Sequence, residues 1–438
     1  MNKTEDLETP IKAKADWLVN LEQQSWQAEL LVSSIAIFGT LQLPSLIMTL
    51  IDSMLIHLPR DMMGWMPFFI CFYLIMASVG LAILFIYHFV VRSFWIGIIG
   101  LISAYPEGIK FDKSQFSDYI VAKLQQHYPD IDAYNQSLDH RCSTIFASAF
   151  LIASSILGAA IGSVALLFMC YMLAKVLPYD AQAISIVIGL LLFIFVILGG
   201  LLNLKLFRDI EYLKRPHYII FAASSLLVYT IFWRSAGYIA LTFRTHQGAK
   251  VSSIFQLVLI GLVTVVALPI INNSNIDLFL EDKYTRTHAN SNTLYQDAFE
   301  DQRADDYALY PTIPSYEIDS KQLRLFIPEL AREQSVLDSL MPPPEPNSKL
   351  SKREKTNVRV SHLLKQTAKF HSLFINDTKI DDALYFYRED NGEQKGVIAL
   401  IDSKHLSDGH NLLKIVKAYV NSKGEPMEIY INFFYSTN

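Results

Sequence analysis

What most limits how this chain can fold is a series of long apolar runs between Glu29 and Asn272, each close to the thickness of a bilayer. A helix needs about 20 mostly apolar residues to cross roughly 30 Å of hydrocarbon. Six runs meet or nearly meet that length: Leu30–Ile51, Met66–Val91, Thr144–Leu173, Ile184–Phe207, Tyr218–Phe243 and Val251–Ile271. No water reaches the hydrocarbon to satisfy backbone groups, so a run that crosses must be helical. The runs are apolar on every face and lack two-residue alternation, which excludes barrel strands. The expected fold is therefore an α-helical multi-pass membrane bundle of five or six spans.

Composition separates this bundle from the rest of the chain. The whole is 18% charged, against about 25% for a soluble domain. The shortfall lies between Glu29 and Asn272, which gives a transmembrane domain over 29–271 and a soluble region over 272–438. The net charge of -5 leaves no basic stripe for nucleic acid. Cys71, Cys142 and Cys170 all lie in or beside apolar runs, so the soluble region has neither a disulfide framework nor a zinc spacing. No cofactor is expected.

The first 28 residues are polar, without the basic start, short apolar core and cleavage site of a secretory signal. The first run is expected to serve as its own insertion signal. Trp17, Leu18, Leu21, Ser25 and Trp26 recur at helical spacing. They predict an amphipathic lead-in over 1–28, with Trp17 and Trp26 as interface anchors. Ser93–Tyr105 is too short to cross; it either lies in the interface or continues the second helix.

Orientation follows from lysine and arginine. Lys3, Lys12 and Lys14 precede the first run. Arg92, Lys110, Lys113, Lys123 and Arg141 follow the second, and Lys205, Arg208, Lys214 and Arg215 follow the fourth. The first and third connections hold little beyond Arg60 and Lys175. This pattern places the N-terminus and the 92–142 loop in the cytoplasm. Tyr218–Phe243 then decides the rest. If it crosses, there are six spans and a cytoplasmic C-terminal region. If it is re-entrant or interfacial, there are five and that region is periplasmic. Arg234 lies within it, and an arginine near a span centre costs about 2.5–3.5 kcal/mol on insertion scales. Tyr229, Trp233 and Tyr238 surround it and favour an interface, which tips the reading toward five. The uncharged run His217–Trp233 keeps six open.

Beyond Asn272 the pattern turns to short strands. Gln322–Ile327 alternates, and Ser372–Asn376, Ala383–Tyr387, Val397–Ile401, Leu412–Val420 and Met427–Tyr435 follow. Asn376-Asp377, Asp390-Asn391-Gly392 and Ser422-Lys423-Gly424 supply turns. Met341–Lys355 reads as an extended linker. A small antiparallel β-sandwich-like module from about residue 310 is expected.

Motifs for chemistry are few. Ser154, Gly158 and Gly162 form a small-xxx-small ladder for helix packing, and Gly199-Gly200 has the same potential. Ionisable residues in or near the runs are His88, Arg234, Glu29 and Lys205, with no carboxylate placed deep in any run. Arg234 is the candidate intramembrane functional residue, with snorkelling to water as its plain reading. Asp112, Asp118, His127, Asp130, Asp132, Asp139 and His140 share one loop but match no metal-ligand spacing. His405 and His410, near Asp402 and Asp408, sit in a turn and make no site. No Walker sequence or nucleophile elbow is present.

The pattern Trp17, Leu21, Glu22, Ser25, Trp26, Glu29, Leu30 and Leu31, with the run Arg92–Leu101 and a terminal β module, resembles multi-pass proteins of the Bacteroidota inner membrane. The resemblance implies a bacterial envelope setting and carries no activity or functional residues. The expected function is a membrane-anchored binding or scaffolding protein that recognises an envelope partner, or a second copy, through its β module. The alternative is a transporter or channel subunit with Arg234 in the pathway. A membrane-embedded enzyme using the Asp/His loop is the third.

Overall fold

The computed structural model describes residues 16–59, 62–111, 116–128, 130–176, 181–202, 210–246, 249–280, 290–303, 307–344, 351–388, 394–420 and 426–436. Up to Asn273 the described elements are helices. α1 (Asp16–His57) carries Trp17 and Trp26 in its first turns, so the lead-in and the first run are one helix. α2 (Trp65–Ala104) continues through the 93–105 stretch. α3 (Asp118–His127) is short, and α4 (Ile131–Val176) extends well beyond its apolar part. α5 (Ala181–Leu202), α6 (Glu211–Tyr229), α7 (Trp233–His246) and α8 (Ala249–Asn273) follow. Among the described residues, four stretches are long and apolar enough to cross a membrane: Leu30–His57, Trp65–Ala104, Asp118–Val176 and Glu211–Phe243. Ile186–Gly199 and Leu257–Asn273 are shorter apolar helices.

The Glu211–Phe243 stretch is interrupted. A 3-10 turn, Thr230–Phe232, separates α6 from α7, and Thr230 adopts φ 41° and ψ −108°. A β-branched residue rarely takes positive φ, so the regular helix ends here.

The chain forms two compact units. One comprises Met1–Pro44, Met76–Gly158 and Ile231–Val266; the other comprises Ser45–Ile75, Ala159–Thr230 and Ala267–Asn438. In the first unit Leu81, Leu84 and Phe85 of α2 pack on Ile145 and Ala149 of α4, with Ala36, Ile37 and Leu43 of α1 around them.

The second unit contains the C-terminal module. Its strands are β1 (Glu317–Ile318), β2 (Gln322–Pro328), β3 (His371–Ile375), β4 (Thr378–Ile380), β5 (Leu384–Arg388), β6 (Gly396–Asp402), β7 (Gly409–Val420) and β8 (Pro426–Tyr435). They form a five-stranded sheet in the order β1-β8-β7-β3-β4 and a three-stranded sheet in the order β2-β6-β5. Asn376 and Asp377 make the two-residue β3–β4 turn at φ 46° and 64°, as a primed hairpin turn requires. Asp390-Asn391-Gly392, Ser422-Lys423-Gly424 and residues 1–15 lie outside the described residues, as do Arg60, Asp112, Lys113, Lys205 and Arg208.

Two expectations need correction. The five-stranded sheet is mixed, because β1 runs parallel to β8 with Glu317 opposite Phe434. The expected linker ends at a helix, α10 (Lys352–Phe370), so Lys352–Lys355 are helical. A capping box starts it: Glu354 N–H donates to Ser351 Oγ at 3.3 Å, and Ser351 N–H donates to Glu354 Oε2 at 2.8 Å. α10 buries Leu363, Gln366, Thr367 and Phe370 and contacts β5 of one sheet and β3 and β7 of the other. Gln366 Nε2 donates to the Met341 carbonyl at 2.7 Å, fastening α10 to the end of α9 (Gln334–Leu340).

Gly396 is fixed by close approach. A Cβ there would stand 2.5 Å from the Ile327 carbonyl oxygen and 2.5 Å from Phe326 Cε2. Gly396→Ala is therefore expected to push β6 off β2 at a cost of about 1–3 kcal/mol. Hydrogen exchange of the β2 and β6 amides reads the effect; unchanged protection would contradict it.

Candidate functional site

The helical part carries a buried polar seam in its first unit. Ser33 of α1 and His88 of α2 meet with Oγ and Nδ1 2.8 Å apart, and His88 is fully buried. One turn on, Arg92 is 2% exposed. Its Nη1 donates to Asp139 Oδ1 on α4 at 2.7 Å, and its guanidinium lies 4.1 Å from the Trp95 ring centre. Phe146, seven residues beyond Asp139, sets its ring 5.1 Å from His88. The i, i+4 spacing of His88 and Arg92 puts both on one face of α2, so one helix presents a neutral hydrogen-bonding group and a cation to two neighbours. Hydropathy alone placed Arg92 in a loop.

Asp139→Asn removes the anion and keeps an acceptor. A charge-assisted bond is worth more than a neutral one, and the half exposure of Asp139 keeps the loss to about 1–2 kcal/mol. Thermal unfolding in detergent measures it; no loss would mean that another partner carries the Arg92 charge.

A second polar contact ties the helices to the module within the second unit. Asn275 Nδ2 donates to Asp52 Oδ1 at 2.8 Å. Asp52 is 6% exposed and lies near the end of the candidate span Leu30–His57, one residue beyond the expected run. The signal was readable: apolar residues continue from Met54 to Ile56 beyond Asp52, so the run does not end at Ile51.

The residues singled out in the sequence are placed as follows. Arg234 is the second residue of α7, exposed, with its guanidinium 5.3 Å from the Trp233 ring. Gly158 is buried, and Ser154 and Gly162 are half-buried on α4. A Cβ at Gly162 would lie 3.9 Å from both the Leu227 carbonyl oxygen and Thr230 Cγ2, so Gly162 sits where α4 meets the end of α6. A Cβ at Gly199 of α5 would lie 3.3 Å from Ile220 of α6. Asp118, His127, Asp130, Asp132 and His140 spread over α3 and the start of α4 and do not converge; among the described residues no three His, Cys, Asp or Glu side chains could hold a metal. His405 Nε2 lies 2.8 Å from Asp382 Oδ1, and Lys404 also pairs with Asp382. These two contacts hold the Asp382 carboxyl below the usual range.

The module buries its own ionic cluster. Lys417 of β7 is 2% exposed and donates to Glu333 Oε1 at 2.5 Å. His371 of β3 stands opposite Lys417 in the sheet register and is buried, its Nδ1 3.1 Å from the Thr367 carbonyl. Burial works to raise the Glu333 pKa, but Lys417, His371 and Arg332 outweigh it and leave it lowered. Burial first, then Lys417, pushes His371 down to about 4.

No family model, curated protein or solved structure matches this chain.

Proposed function

We propose that this chain is an integral protein of a bacterial inner membrane that presents its C-terminal module on the face opposite its cytoplasmic N-terminus, as a binding or scaffolding domain. The hydrogen bond from Asn275 to Asp52 carries this reading. Asp52 lies five residues from the end of α1 (about 8 Å along the axis), and Asn275 follows α8 by two residues. The module thus leaves the bilayer on the face where α1 ends, and α1 begins on the other. This reading takes an odd number of crossings. In it α1, α2, α4, α5 and α8 cross, five in all, and Glu211–His246 enters and leaves on one face. The break at Thr230 and the exposed Arg234 support that path, since a charged, interrupted helix is costly to carry through hydrocarbon. The likeness of Trp17–Leu31 and Arg92–Leu101 to Bacteroidota inner-membrane proteins supports the bacterial envelope, where the partner is an envelope protein or a second copy.

Reporter fusions after Asn272 and Asn438 test the arrangement, with one reporter active only outside and another only in the cytoplasm. External activity at both positions is expected. Cytoplasmic activity at both would overturn it.

A transporter or channel subunit is the second reading. It draws on the buried Ser33, His88 and Arg92, with the half-exposed Asp139 at the end of their seam, because ionisable groups inside a bundle mark solute or proton paths. Liposomes that move no solute or ion would remove it.

A further inference from the structure

The three-stranded sheet ends in an edge that carries no proline, bulge or lysine; α10 contacts β5 but leaves Leu384 and Phe386 exposed. Among the described residues β5 pairs with β6 alone, so the outer row of backbone N–H and C=O groups on Leu384–Tyr387 faces away from the sheet. Edges are normally blunted by shortness, proline, a bulge or an inward lysine. The five-stranded sheet follows that rule: β1 has two residues, and β4 has three with Lys379 at its centre. β5 has five residues, Leu-Tyr-Phe-Tyr-Arg, in unbroken register with β6. Leu384 is 57% exposed and Phe386 52%. They stand opposite the half-buried Leu400 and Ile398, so one face offers an apolar row that runs to the edge.

The neighbouring helix adds charge. Residues 351–359 are exposed throughout and carry Lys352, Arg353, Lys355 and Arg359 against Glu354, whose carboxylate is engaged at the Ser351 cap. This positive stretch stands out in a chain of net charge -5. Arg359 joins it to β5: its Nη2 donates to Tyr387 Oη at 3.3 Å, and it lies 3.8 Å from Glu329. Among the described acids nearby, Asp381 pairs with Lys379 at 2.7 Å and Asp382 with Lys404 and His405.

We propose that the β5 edge takes up an extended acidic polypeptide segment as an added strand, its alternate apolar side chains on Leu384 and Phe386 and its carboxylates toward the basic start of α10. The proposal rests on the reading of the module as a binding domain. An unpaired edge selects an extended backbone, because only another strand satisfies a row of alternating donors and acceptors. Charge complementarity selects acidic over basic segments.

The test uses the full chain in detergent and a fluorescein-labelled octapeptide of alternating valine and glutamate, read by anisotropy. Saturable binding is expected. Phe386→Lys should weaken it about tenfold or more, and Arg353→Glu with Lys355→Glu should weaken it and remove its salt dependence. The same peptide methylated on alternate backbone nitrogens should not bind. Equal binding of the methylated peptide would overturn strand addition in the wild-type protein, whatever the variants do. Equal binding of a valine–lysine octapeptide, or no binding by protein whose β7 amides are protected, would overturn the proposal too. Sidedness does not enter, since detergent exposes the module whichever face it occupies.

Discussion

Lys417→Met is expected to open the C-terminal module, because it leaves Glu333 as a buried anion without its nearest cation. The pair is 2.5 Å apart with Lys417 2% exposed, and removing one partner of a buried pair costs about 3–5 kcal/mol. That is a large share of the 5–15 kcal/mol typical of a whole domain. The loss comes from desolvation of the survivor more than from the lost attraction. Glu333→Gln combined with Lys417→Met should therefore recover most of it, since no buried charge of the pair remains. Hydrogen exchange of the β3 and β7 amides in the full chain is the direct measure. Equal losses in the single and double variants would show that packing around Lys417, and not its charge, holds the module.

Acid should weaken the same region by a comparable amount. His371 is held down to about 4 against an ordinary 6.5. Between those values the unfolded chain binds a proton at this site that the folded module refuses. Stability is therefore full above about pH 6.5 and falls as pH drops toward 4, by about 3 kcal/mol in total. Glu333 acts in the same direction at lower pH: its folded pKa is lowered, so its contribution is lost as pH falls through that value. The charged groups facing His371 are Lys417 across the sheet and Glu333, with Arg332 beside Glu333. A pH series of β7 amide exchange from 7 to 4 measures the loss, and His371→Leu should flatten the upper part of the curve. A flat wild-type curve would mean that His371 meets water in the folded module.

Most strands were legible because alternation is a local signal. Gln322–Ile327 and Val397–Ile401 fall on observed strands, Ser372–Asn376 overruns β3 by one residue, and Asn376-Asp377 turned the chain where positive φ is easy. α10 was hidden by Met341–Pro344, although Ser351 and Glu354 spelled out its cap. β4 is too short to alternate, and β1 declares itself only against β8, more than a hundred residues away. The site followed the same division. His88 and Arg234 were visible as ionisable residues in apolar sequence, yet Arg234 is exposed and the buried cation is Arg92, which stands at the end of its run.

By itself the sequence determined the apolar helices, the polar module after them and the clustering of lysine and arginine in alternate connections. Each reports the free energy of moving short segments between water and hydrocarbon, which depends on composition and spacing alone. Only the tertiary structure decided that Asp52 receives Asn275, that Arg92 meets Asp139, that Lys417 lies between Glu333 and His371, and that β5 stands at the end of its sheet beside β6. Those contacts join residues tens to hundreds of positions apart, and a pairing at that distance leaves no periodic trace in either segment. It exists because the chain returns, and where the chain returns is set by the packing of the whole unit.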